Sequence, residues 1–177
     1  MSEDLLQKER LYLANLLEAI QRCAWFLSQS EKKLAWPLAA EYLAQHKKDV
    51  ALFETMAAIN EHIAKLQDSL AAAMRHSALL MSEPHDNFLK ILAFFEKNGI
   101  LESTAAWQRS RASRNLAAHD YETDYAEIAE HFNTLHELSG MLYHTAQRLL
   151  KMCDETLGVQ PVSGDFNQEF NTIVERQ

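Results

Sequence analysis

Apolar residues return every three or four positions over stretches that are too long, and too poor in glycine and proline, for anything but helix. From Glu3 to Ser28 they fall at Leu6, Leu13, Leu16, Leu17, Ile20, Ala24 and Leu27, the stripe of one amphipathic helix. The whole chain holds four glycines and three prolines. Between them stand mostly Ala, Leu, Glu, Lys and Gln, which lose little freedom on entering a helix. The fold class is therefore all-α, an up-and-down helical bundle of about five helices.

A second helical region opens at Trp36-Pro37, where a first-turn proline gives up an N–H that has no partner anyway. Its stripe passes through Tyr42, Val50, Phe53, Met56, Ile63, Leu66, Leu70 and Met74 to Leu80, longer than a usual globular helix, so a break is expected near His46 to Asp49. Ser82-Glu83-Pro84 ends the run, because proline disfavours helical geometry in the residue before it. The third helix is capped by Asp86 or Asn87, buries Phe88, Ile91, Leu92 and Phe95, and stops at Asn98-Gly99. Ser103 or Thr104 starts a fourth. Asp124, with Glu127 three residues on, opens the last long one, whose stripe is Ile128, Phe132, Leu135, Leu142 and Leu149. Residues 1–157 thus read as a single bundle domain and 158–177 as a tail. In the tail Gly158, Pro161 and Gly164 mark a loop, and Phe166, Phe170 and Ile173 recur at helical spacing, ready to dock on the bundle.

The net charge of -8 gives no general attraction to nucleic acid or anionic lipid, so a polyanion would need a local basic patch. Cys23 and Cys153 stand alone, and the opening MSED lacks the basic and apolar regions of a signal peptide, so a reduced, cytoplasmic protein is expected. No apolar run approaches the ~18 to 20 residues needed to span a bilayer. A carboxylate-bridged di-metal bundle needs Glu three residues before His. The residues in that position are Leu43, Ile59, Ala73, Ser82, Leu116, Ile128, Asn133 and Met141, none acidic. Glu127 and His131 lie four apart, a spacing more typical of a solvated surface contact than of a metal site. No GxGxxG, GxxxxGK, GxSxG or HExxH is present, and no cofactor is expected.

One stretch stands out, Trp107 to Tyr121, WQRSRASRNLAAHDY, with Arg109, Arg111 and Arg114 and no acid before Asp120. On a continuous helix Arg111, Arg114, Asn115 and His119 share an arc of about 140°. Arg114 and His119 fall at its two edges, so they cooperate best at a helix end or across a symmetric interface. Such a set suits transfer at an RNA phosphodiester: histidine takes the ribose 2′-OH proton and arginine holds the non-bridging oxygens, with no metal required. The same arginines would equally serve as an exposed basic helix end paired with Asp120, Glu122 or Asp124.

Arg114-Asn115-Leu116-Ala117-Ala118-His119-Asp120-Tyr121 reads as R-N-x3-H-x-Y and resembles the signature of the HEPN superfamily (higher eukaryotes and prokaryotes nucleotide-binding), in its HepT-like branch. The resemblance covers roughly residues 50 to 155 by helix order and motif placement. It implies a four-helix core, here with an added N-terminal helix, in a homodimer whose motifs face each other as a metal-independent endoribonuclease. Arg114 and His119 would be catalytic, Asn115 would support them, and Arg109 and Arg111 would grip RNA phosphate. It also implies a toxin–antitoxin pair, in which a small nucleotidyltransferase neutralises the toxin and can do so by adding AMP to Tyr121. Tyr121 also suits a hydrophobic staple ahead of the last helix. Two other functions stand beside the ribonuclease: a non-catalytic substrate-binding or scaffold partner of a nucleotidyltransferase, and a structural adaptor in which the motif is incidental.

Overall fold

The computed structural model describes residues 2–117 and 124–175, with the side chains of 115–117 outside the description. Among the described residues the chain is all helix and no strand: α1 (Glu3–Glu31), α2 (Ala40–Gln45), α3 (Val50–Leu80), α4 (Phe88–Lys97), α5 (Thr104–Ala117), α6 (Tyr125–Met152) and α7 (Asn167–Glu175). A π-helical turn, Cys153–Leu157, continues α6. None of these helices is long and apolar enough to cross a membrane.

Side-chain pairings give the directions of the four main helices. Glu9 meets His76 at 2.9 Å while the Cys23 thiol meets the His62 carbonyl at 3.2 Å, so α1 and α3 run antiparallel. Gln67 reaches Ser110 while Arg114 reaches back to Ala64, so α3 and α5 are antiparallel too. Arg10 donates to the Leu157 carbonyl, and Glu31 at the other end of α1 meets His136 and Ser139, which turns α6 against α1. The order is up, down, up, down. The expected bundle of about five helices takes the form of four main helices joined by the short α2 and α4 and closed by α7.

Local chemistry fixes most boundaries. Ser2 caps α1, accepting from Leu5 N–H, and Glu3 and Asp4 place negative charge at the positive end of the helix. Asp49 caps α3 through Leu52 N–H at 3.1 Å, which puts the chain break where the length of the stripe requires one. Asn87 rather than Asp86 caps α4. Gly99, at φ +72°, takes the left-handed turn that ends it, and the Ile100 and Leu101 N–H groups bond the Phe95 carbonyl. Asp124 caps α6 through the Ala126 and Glu127 N–H groups.

Three expectations are corrected. Pro37 lies ahead of α2 rather than in a first turn, in a loop whose Leu38 backbone is held at both ends by the Asn133 amide, at 2.7 and 3.0 Å. Tyr42 and Val50 point outward, and Leu43, Leu52 and Ile59 take the core positions instead. The α1 helix runs past Ser28 to Glu31, because hydrogen bonds from α6 satisfy a polar side chain that would otherwise stop the burial.

The tail docks on its own bundle. Phe170 and Ile173 are buried in the common core, Val162 N–H bonds the Ala14 carbonyl, and Gln21 bonds Asn167 at 2.9 Å. Ser163 donates both its N–H and its hydroxyl to Glu18, holding that carboxyl below the usual carboxylate range.

Candidate functional site

The basic stretch forms α5, and its first aromatic anchors it. Trp107 is 1% exposed, and its carbonyl and the buried Ser110 hydroxyl both accept from the Gln67 amide of α3. Ahead of the helix, Glu96 of α4 accepts from the Thr104 N–H at 3.0 Å and its hydroxyl at 2.6 Å, which ties the α4–α5 corner and keeps the Glu96 carboxyl below its ordinary range.

With Trp107 and Ser110 turned inward, helical geometry brings Arg111 and Arg114 to the seam with α3. There they line an open cleft of about 310 Å³ together with Asp68, Arg75, Phe88 and Trp107. Three guanidinium groups face one carboxylate. Arg114 Nη1 donates to Asp68 Oδ1 at 2.6 Å and to the Ala64 carbonyl at 3.3 Å, and its side chain is only 19% exposed. The other N–H groups of Arg114 have no partner among the described residues. Arg75 stands over the Phe88 ring at 5.6 Å, a cation–π contact that keeps its guanidinium at the rim.

Such an arrangement can hold an anion with a flat apolar group attached. The guanidinium forks match phosphate or carboxylate oxygens, and the half-buried Phe88 ring offers an apolar edge beside them. The buried Gln67 Oε1 has no hydrogen-bond partner among the described residues. Among the same residues no group of three or more His, Cys, Asp or Glu could hold a metal ion.

The candidate residues are thus divided. Arg111 and Arg114 are brought together in the cleft. Arg109 is exposed and absent from its walls, as two residues of helical rotation require. Asn115 belongs to α5 by its backbone, and its side chain lies outside the described residues, as do His119 and Tyr121 entirely. Of the acids expected beside the arginines, Asp120 and Glu122 lie outside the described residues; among the described residues Arg114 pairs with Asp68, 46 residues upstream.

Sequence reading missed Asp68 and Arg75. A faint signal existed: Asp68, Ala71, Ala72 and Arg75 share one face of α3, where two small side chains between two charged ones leave a hollow. His131 is another surprise, since its Nε2 is buried without a partner among the described residues, and burial holds its pKa below the ordinary value. Comparison with protein-family models, curated proteins and solved structures finds no match to this chain.

Proposed function

We propose that this chain is a HEPN-type, HepT-like endoribonuclease that works without metal, the toxin of a toxin–antitoxin pair. The observation that carries the reading is that Arg114, the first residue of the R-N-x3-H-x-Y motif, lines an open cleft with two further arginines in a protein of net charge -8. A local basic groove is what an acidic protein needs in order to bind RNA. In this reading His119 takes the 2′-OH proton, Arg114 stabilises the charge that builds on the phosphoryl oxygens, and Arg111 and Arg75 hold the flanking backbone. The protein acts as a homodimer, so that the second copy of the motif completes the site. A small nucleotidyltransferase neutralises it, and AMP added to Tyr121 would set an anion and a base beside the arginines and close the groove to RNA.

The Arg114–Asp68 ion pair favours a second reading. An arginine already tethered suits a module that only holds phosphate, the scaffold or substrate-binding partner of a nucleotidyltransferase. Expression in bacteria separates the two. The toxin arrests growth and His119→Ala relieves the arrest, whereas harmless expression of the unaltered chain leaves the module.

A further inference from the structure

At the end of the bundle away from α4, Glu31 is the last residue of α1 and is 6% exposed. Its carboxylate is saturated from α6: Oε1 pairs with His136 Nδ1 at 2.8 Å and accepts from the Ser139 hydroxyl at 2.6 Å, and Oε2 accepts from the Tyr143 hydroxyl at 2.8 Å. Burial, and the charge of Glu31, push the Tyr143 hydroxyl well above its ordinary pKa, so it stays a donor. Trp36 covers this group. Its indole N–H is fixed to the Glu31 carbonyl at 2.9 Å and its ring lies flat on the His136 imidazole, centroids 4.1 Å apart and planes 5° from parallel.

For stability alone this arrangement is a poor choice. A buried carboxylate must be desolvated, and an apolar residue of similar volume is often as good or better. What the network does achieve is to set one imidazole. In the tautomer that donates from Nδ1 to the carboxylate, Nε2 is an acceptor. Nε2 has no partner among the described residues, and the His136 side chain is 38% exposed.

His136 lines an open pocket of about 270 Å³ together with Trp25, Trp36, Leu34, Lys32 and Ile173 of α7. Trp25 is half-buried, and Lys32 Nζ stands 5.7 Å from its ring. Small-ligand sites combine apolar and aromatic walls with a few placed polar groups, and about 270 Å³, just below their usual range of ~300–1,000 Å³, limits the occupant to one or two fused rings. We propose that this cavity is a binding site for a small planar aromatic molecule carrying an N–H or O–H group, its ring against Trp25 and Trp36 and its donor on His136 Nε2. The site is separate from the arginine cleft and does not depend on the ribonuclease reading.

The test uses the full-length chain, ligand-observed NMR, and two probes of nearly equal shape, indole with a donor and benzothiophene without one. Benzothiophene is the more hydrophobic, so a preference for indole reports the hydrogen bond rather than area. The expected result is saturable indole binding, at least about 5-fold tighter than benzothiophene. Trp25→Leu, outside the Glu31 network, weakens indole at least about 5-fold in a chain that keeps its helical circular-dichroism spectrum and a cooperative melt. His136→Phe, which keeps a ring against Trp36, removes the preference between the probes. Absence of saturable binding by either probe, equal affinities in the unaltered protein, or indole binding unchanged in Trp25→Leu overturns the proposal. The two probes and Trp25→Leu decide the matter even if His136→Phe does not fold.

Discussion

Asp68 sets what Arg114 can do. The pair is short at 2.6 Å, yet the Asp68 side chain is 70% exposed. An ion pair with one end in water is worth on the order of 0–1 kcal/mol, so its purpose is better sought in placement than in stability. It holds one edge of the guanidinium and also cancels a charge that incoming phosphate would use. Replacing it by Asp68→Asn is expected to tighten single-stranded RNA about 2- to 10-fold at low salt, as fluorescence anisotropy would show. An unchanged affinity would mean that phosphate does not meet Arg114. Two histidines carry a pH prediction. Burial holds His62 and His131 below their ordinary 6.5. As pH falls through 6.5 the unfolded chain takes up protons that the folded chain refuses, so stability present above that value is lost below it. The urea midpoint should drop between about pH 7.5 and about pH 5.5, and His131→Gln should shrink that drop. An equal drop in the variant would remove His131 from the account. None of these pairings was legible beforehand, because Asp68 and Arg114 sit on helices that only the folded bundle brings together.

The helices themselves were legible almost throughout. Stripes at the 3.6-residue period, Asp86 or Asn87 and then Asp124 as caps, and Gly99 as a stop all name local chemistry, which a sequence carries without its fold, whereas the break near His46 to Asp49 takes its exact place from the Asp49 cap in the structure. The misreadings fall where tertiary contacts decide. Val50 continues the apolar stripe on paper, but as the first residue after the Asp49 cap it is turned to solvent. Glu31 looks like the polar end of a helix, and only donors more than a hundred residues on make it a core residue. The tail shows the same dependence in the other direction: Phe170 and Ile173 announce a helix, and Glu18, Gln21 and Ala14 on α1 give it a place to dock. Burying two such side chains contributes about 3–6 kcal/mol. Ending the chain after Asp165 should therefore cost about that much in urea denaturation, and a loss under about 1 kcal/mol would show that α7 adds little to the core.

For the whole molecule, acidity and function pull against each other. A net charge of -8 repels RNA at a distance, while Arg75, Arg111 and Arg114 gather positive charge in one cleft. Under the proposed function, that balance would confine RNA binding to one groove, with a salt dependence set by about three phosphate contacts. A symmetric pair of copies, one of the two arrangements that suit the five-residue spacing of Arg114 and His119, would double the groove without enlarging the basic surface. The proposed activity is metal-independent cleavage at that groove. It is tested most directly by incubating purified protein with single-stranded RNA in excess EDTA and resolving the product ends. Fragments ending in 2′,3′-cyclic phosphate are expected, with the rate reduced at least about 100-fold in His119→Ala. RNA left intact under these conditions, or cut equally fast by His119→Ala, would contradict it.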